Sequence, residues 1–305
     1  MSRYVGISDK IAMGKETTFG TETSSYDVKL GIPQTFKWTS TASTKKIACL
    51  GNGVKYYKVV DGVESISGSV EYYLTHGKEL EFIFGDYSDD GSNFTLDVST
   101  PLPSYSIKAQ YDNSNYVKIL GVKFTKATLT FTKDDIVKVT ADWLAQSISE
   151  VSGTNTDDAT DSNDEITFLD GYIKIGTDVV AAVNSATLTI DWKSEALRGI
   201  EQVSAGDRRK ITEIVEKNLD ISGDLEADIT SSIDLFQKYF GGTSIQDNRS
   251  TATITFNLAR GSHTFTITLS DVTFTDINKE SKAELEPRTV SLSFTALDID
   301  ATGTL

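Results

Sequence analysis

The sequence predicts an all-β protein made of two tandem related domains, each a β-sandwich or partial barrel with one short flanking helix. Three observations carry that prediction. First, apolar residues alternate with polar ones: Val290, Leu292, Phe294 and Ala296 form one stripe, and Val137, Val139, Ala141 and Trp143 another. A period of two is the signature of a strand with one buried face. Second, landmarks recur in order about half a chain apart. Ile66-Ser67-Gly68 returns as Ile221-Ser222-Gly223, Phe84-Gly85 as Phe240-Gly241, Val122-Lys123-Phe124 as Val272-Thr273-Phe274, Trp143 as Phe294, and Trp38 as Trp192. Third, 305 residues suffice for two cores, at roughly 100–200 residues per domain. The expected division is a first domain over 1–148, an acidic linker over 149–166 and a second domain over 167–305.

The elements follow in order. Tyr105, Ile107, Ala109 and Tyr111 alternate, then Val117 and Ile119, with Asp112-Asn113-Ser114-Asn115 between them. In the second half Ala252, Ile254, Phe256 and Leu258 alternate, then Phe265, Ile267 and Leu269, across Ala259-Arg260-Gly261-Ser262. Both read as hairpins. After each second strand the alternation slips by one, at Gly121 and at Ser270-Asp271, which calls for a bulge or bend because a one-residue slip swaps faces. Lys78–Phe84, stopped by Gly85, and Ile233–Phe240, stopped by Gly241-Gly242, carry helical apolar spacing with a Gly at the C-terminal cap position, and Ser231 or Ser232 suits the second N-cap.

Ser152–Glu165 has no large apolar residue and reads as an exposed linker. Segments 43–61 and 194–217 read as long irregular loops, each before an Ile-Ser-Gly strand; loops of that length are usually functional or disordered. Both are basic on an acidic protein: Lys45, Lys46, Lys55 and Lys58 in one; Lys193, Arg198, Arg208, Arg209 and Lys210 in the other. They are expected either to meet an acidic face of a neighbouring copy or to be solvated hairpins. Trp38, Trp143, Trp192 and Phe294 are expected to face the core. Strands 251–258 and 289–297 would template neighbours if left open, so a ring that closes every edge is the natural assembly.

Composition excludes several function classes. Asp and Glu number 44 against 29 Lys and Arg, giving a net charge of −15, the wrong sign for gripping nucleic acid. The lone Cys49 allows no intramolecular disulfide and reads as a small hydrophobe. No apolar run is long enough for a signal peptide or a membrane helix, so a soluble protein made in the cytoplasm is expected, with no membrane partner. His76 and His263 are the only histidines, and no catalytic triad, zinc set or phosphate loop can be assembled around them. No enzymatic activity, cofactor or metal is expected. Asp86–Asp97 places oxygen ligands at loop positions like those of a calcium-binding EF-hand, but ends in Asp instead of Glu and has Phe94 at the ninth position; a polar connecting loop is the favoured reading.

Met13-Gly14-Lys15-Glu16-Thr17-Thr18-Phe19-Gly20-Thr21 resembles the Gly-x-Glu-x-Thr-x-Gly-Thr opening of the tail tube (major tail) proteins of long-tailed bacteriophages and archaeal tailed viruses, carried here by Gly14, Glu16, Thr18, Gly20 and Thr21. The Ile-Ser-Gly strand, short helix and alternating last strand also resemble that family. The second half has no such opening; it starts Phe168-Leu169-Asp170-Gly171-Tyr172. The resemblance implies a structural virion protein of the tail whose tandem domains form trimeric, pseudo-hexameric rings, stacked into a hollow tube with an acidic lumen that conducts double-stranded DNA during ejection without binding it specifically. It also implies that the segments holding Lys45, Lys46, Lys55, Lys58, Arg198, Arg208, Arg209 and Lys210 pack between rings, and that tape-measure, tail-tip or baseplate and terminator proteins are partners. The alternatives are a tube of a contractile machine and a two-domain β-sandwich adhesin or decoration module that does not assemble.

Overall fold

Nineteen strands and one short α-helix make up the computed structural model among its described residues, which are 10–50, 55–112, 114–180, 183–198, 211–228, 239, 251–261, 263–279 and 289–304. In chain order the first half holds β1 (Ile11–Lys15), β2 (Ile32–Ile47), β3 (Lys58–Tyr73), helix α1 (Glu81–Phe84), β4 (Gly85–Asp89), β5 (Asn93–Val98), β6 (Tyr105–Gln110), β7 (Asn115–Thr132), β8 (Lys138–Ala145) and β9 (Ser147–Ser152). The second half holds β10 (Tyr172–Ile175), β11 (Asp178–Val180), β12 (Val183–Asp191), β13 (Glu195–Leu197), β14 (Glu213–Val215), β15 (Asp220–Asp228), β16 (Ala252–Arg260), β17 (His263–Lys279), β18 (Thr289–Ala296) and β19 (Asp298–Thr304).

All pairings are antiparallel. Strands β1-β6-β7-β9 form one sheet, and β11-β10-β16-β17-β19-β5-β4 another. A third runs β2-β3-β8-β7-β12-β15-β18-β17 and packs against both. The long strands β7 and β17 each serve two sheets because they bend where the sequence slips phase. Register shifts by one between Ile119 and Val122 and between Leu269 and Val272. Gly121 (φ 64°) and Asp271 (φ 51°) take the left-handed conformation that the bulges need. The two hairpins form as read from the sequence, and α1, extended by the 3-10 turn Lys78–Leu80, stops at Gly85 with φ 100°. The second helical segment lies outside the described residues apart from Tyr239.

The repeated Ile-Ser-Gly has a packing reason. Gly68 and Gly223 each lie opposite an aromatic residue of the next strand, Trp143 and Phe294. A Cβ on Gly68 would stand 2.2 Å from Trp143 Cζ2, and one on Gly223 2.5 Å from Phe294 Cζ. The missing side chain lets each ring lie flat across the neighbouring strand. The core rows therefore read Trp38–Gly68–Trp143–Phe124 and Leu188–Gly223–Phe294–Phe274. Leu188, not Trp192, holds the register position of Trp38, so the two tryptophans are not counterparts.

Several expectations are corrected. Trp38 is 43% exposed, because β2 has no strand on its outer side among the described residues, whereas Trp143 and Trp192 are buried. Strands β16 and β18 are paired on both sides, so 251–258 and 289–297 are not open edges. The described parts of segments 43–61 and 194–217 include paired strands: Thr44–Ile47 pairs with Lys58–Asp61, and β13 with β14. The stretch read as an exposed linker begins with β9 and continues as a strap pinned to the first half. Ala159 N–H donates to Ile11 and its carbonyl accepts from Leu30, and Asp161 N–H donates to Gly31. Asn155, Ala159 and Asp161 are buried. Backbone pairing supplies what apolar burial does not. Cys49 is exposed instead of packed.

The halves meet through strand pairing. Lys126–Thr132 of β7 pairs with Ser185–Asp191 of β12, and β5 pairs with β19. Between these seams Trp192 Nε1 donates to the Ile83 carbonyl at 2.7 Å. Gly68→Ala and Gly223→Ala should each lower unfolding free energy by about 1–3 kcal/mol through overpacking, read as a drop in denaturant midpoint at unchanged slope. Ala tolerated at both sites without loss would contradict the ring-over-glycine packing.

Candidate assembly surfaces

The face of the eight-stranded sheet turned away from the core is mainly polar, interrupted by Tyr73 and Leu144. One cross-strand row reads Thr35, Glu71, Thr140, Thr128, Thr189, Ser222, Thr295, Thr273, and the next reads Lys37, Ser69, Asp142, Lys126, Asp191, Asp220. All are half-buried or exposed. Asp224, Glu226, Asp228 and Asp276 add negative charge on the second-half strands, against Lys138 on β8. Burial pushes the Asp191 carboxyl up, but hydrogen bonds from Lys193 outweigh it and hold it below the ordinary carboxylate value, so it is charged at neutral pH. Strict alternation places these residues: each strand gives its apolar side chains to the core and its Thr, Ser and Asp to this face.

Both ends of this sheet are edges. Strand β2 pairs only with β3, and residues 273–279 of β17 only with β18, among the described residues. Strand β9 likewise pairs only with β7. Exposed edges carry unpaired N–H and C=O groups that template another chain.

Beyond the sheet β2 and β3 continue as an arm. Each strand has 16 residues, a length of roughly 50 Å at the usual rise. Lys45, Lys46, Lys55 and Lys58 sit on the arm and are exposed, with Lys46 Nζ 5.4 Å from the Tyr56 ring centre. The basic character read from the sequence is only half of its chemistry. Leu50, Tyr56, Tyr57, Val59, Val60 and Val63 are exposed as well, an apolar patch of the kind that marks a contact surface. The β13–β14 ribbon of the second half is held inside the chain: Arg198 Nη2 donates to the Glu64 carbonyl at 3.1 Å. Buried Lys123 donates to the Ile214 carbonyl at 3.0 Å and to Glu216 at 2.7 Å. Arg208, Arg209 and Lys210 lie outside the described residues.

The opening motif is a clamp. Glu16 is buried, and its carboxylate accepts from Gly20 N–H (2.8 Å), the Ser104 hydroxyl (2.8 Å), the Ser106 hydroxyl (2.8 Å) and Gly121 N–H (2.9 Å). It thereby ties the segment after β1 to the bulge that bends β7. Gly14 leaves room for the returning Ser25 carbonyl, 2.0 Å from where its Cβ would be, and Thr18 and Thr21 close a turn through Thr21 N–H to the Thr18 carbonyl.

Residues with catalytic potential are occupied structurally. The His76 and His263 rings meet edge to face at 4.7 Å where the halves join, with His76 Nδ1 3.5 Å from Asp161. Burial raises the Asp161 carboxyl; Asn163 N–H, the Thr75 hydroxyl and His76 together bring it below its ordinary value. Asp86–Asp97 is the β4–β5 hairpin, in which Asp90 accepts from the N–H groups of Ser92 and Asn93, its own turn. Among the described residues no cluster of three or more His, Cys, Asp or Glu is arranged to hold a metal, and no helix is long and apolar enough to cross a membrane.

The sequence model of the phage tail tube protein family matches residues 6–296, and the chain belongs to that family. A search of curated proteins gives no match. Tail tube proteins are structural, non-enzymatic parts of the virion tail and assemble with themselves into tubes. Glu16→Ala would strip the carboxylate from three buried donors and the half-buried Gly20 N–H and should cost about 3 kcal/mol or more, at 1–3 kcal/mol for each unsatisfied group. Chemical denaturation checks it; a loss below 1 kcal/mol would contradict the clamp.

Proposed function

We propose that this tail tube protein is a tandem repeat of one sandwich domain and that three copies close into a ring, the rings stacking into a tube that conducts DNA. The observation that carries the reading is the seam between the halves. Strand order β1-β6-β7-β9 recurs as β10-β16-β17-β19, and β2-β3-β8-β7 as β12-β15-β18-β17. Within the chain, the edge of β7 is covered by β12. The corresponding edge of β17 and the edge corresponding to β12, on β2, are both open. Joining them head to tail repeats the internal seam between chains, and two repeats per chain make three copies a pseudo-sixfold ring.

In that ring each copy gives eight strands to one continuous inner sheet whose free face is the polar, acidic one. Its carboxylates outnumber Lys37, Lys126 and Lys138 on that face, so the net field repels phosphates and DNA passes without adhering. The arm, apolar and basic, reaches an adjacent ring, while tape-measure, tip or baseplate, and terminator proteins meet the ends of the tube.

The seam has a definite register. Thr128 faces Thr189 inside the chain, and the repeat maps these onto Asn278 and Thr39. Asn278→Cys with Thr39→Cys, in a Cys49→Ser background, should therefore give disulfide-linked dimers and trimers on oxidation and nothing larger on a non-reducing gel. Tetramers, or monomers alone from intact tubes, would contradict the closure. Deleting 44–60 should abolish stacking while leaving the melting transition of the sandwich in place, checked by electron microscopy and calorimetry; normal tubes would refute the arm's role.

A further inference from the structure

Among the described residues, most of the large apolar side chains exposed at the surface gather in three places: the arm, the Trp38–Tyr111 side of the first half, and a patch made by Leu169, Tyr172 and Val179. Neither the core nor the lateral seam uses this third patch, in which Leu169 is 66% exposed. It rims a hollow of about 290 Å³ whose wall includes Lys133, Asp134, Phe168 and Val183. Backbone bonds fix the parts. Lys133 N–H donates to the Asn184 carbonyl at 2.9 Å, and Phe168 N–H to the Asp135 carbonyl at 3.0 Å. The hollow therefore sits where β7 and β12 join the halves, framed by the β7–β8 turn, the 3-10 turn Phe168–Asp170 and the β10–β11 hairpin.

Strand registers put this patch and the arm at opposite ends of the eight-stranded sheet. The arm leaves the sheet beyond Ile66, which pairs with Ala145, one residue from the Leu144–Lys123 pair. At the other end Tyr73 pairs with Lys138, Lys138 with Thr130, and Thr132 with Ser185, just inside the β7–β8 turn and Val183. Rings stacked by translation meet head to tail, so the two faces in contact differ and have to complement each other. These two do. Residues 43–60 hold four Lys and no Asp or Glu, whereas 133–135 and 164–178 together hold six Asp or Glu against two Lys. One of those two, Lys174, has its Nζ 5.0 Å from the Tyr172 ring centre. Asp134, Asp135 and Asp178 are exposed. Each end thus joins an apolar patch to charge of one sign, and the signs are opposite.

We propose that the Leu169–Tyr172–Val179 patch is the seat for the arm of a copy in the adjoining ring. This rests on the reading that the arm stacks rings, and it adds where the arm lands. Exposed Tyr56, Tyr57 and Val59 of the arm cover the three apolar residues, aromatic anchors on an aliphatic floor. The arm's lysines come to rest beside Asp134, Asp135 and Asp178. The β13–β14 ribbon, the arm's second-half counterpart, is held inside the chain. Each chain therefore offers one arm and one seat, three of each at every contact between rings, and the stack has a direction.

The test puts a photo-crosslinker on the arm, Tyr57→p-benzoylphenylalanine, at a side chain that is exposed. Tubes assembled from a mixture of isotope-labelled and unlabelled chains are irradiated, and the adducts are mapped by mass spectrometry. Adducts are expected between chains, on 133–135 or 168–183. They should run from ring to ring, so that covalent chains longer than three copies appear on a denaturing gel. Adducts elsewhere on a neighbouring copy would overturn the seat and leave the arm's stacking role standing. Adducts confined to one chain, or absent from intact tubes, would overturn both. A second variant, Leu169→Lys with Val179→Lys, changes two exposed side chains and sets two cations against the arm's lysines. Rings and the melting transition should survive and tubes should be lost; normal tubes from this variant would overturn the seat.

Discussion

Backbone hydrogen bonding at the sheet edges is the constraint on which the structure depends. A β-rich chain of this size must dispose of every strand edge, since a buried N–H or C=O without a partner costs more than a typical packing contact returns. This protein does so internally once, where β7 meets β12 and β5 meets β19. It leaves the equivalent edges of β2, β9 and the end of β17 without partners among the described residues. Among the described residues the β7–β12 seam is paired within the chain and these edges are not, and self-assembly into tubes is the property its family has.

The bend in β7 and β17 makes that arrangement possible. Without the bulges at Gly121 and Asp271, one long strand could not leave one sheet and enter another. Glu16 stabilises the first of these bends directly through Gly121 N–H. The chemistry of the opening segment is therefore architectural: a buried carboxylate held by four donors. The same holds for His76 and His263, which pack where the halves join.

Alternation, hairpins, phase slips and the first helix were legible in the sequence because each is a local pattern with a local cause. The repeated Ile-Ser-Gly was legible as a landmark but not as a mechanism, since the ring that lies over each glycine is some 75 residues away. Trp38 defeated pattern reading for a different reason: its stripe does point to the core side, but β2 has no strand on its outer side among the described residues, and alternation does not tell an edge strand from a central one. The strap 153–165 was misread because its order comes from backbone bonds to Ile11, Leu30 and Gly31, which no apolar count detects. The arm's lysines stood out by charge, while its exposed Leu50, Tyr57 and Val59 lay in a stretch with the pattern of an irregular loop, where single apolar residues carry no signal. The acidic face followed from alternation once the strands were ordered, and no order of strands could be read from the residues.

A density map of the assembled tube at a resolution that traces strands tests the central claim most directly. Crossing from one chain to the next, the inner sheet should run without interruption, Thr273–Lys279 of one copy lying antiparallel to β2 of its neighbour around three copies per ring. A wall in which those two edges stand apart, or in which the acid-rich face is turned outward, would contradict the account.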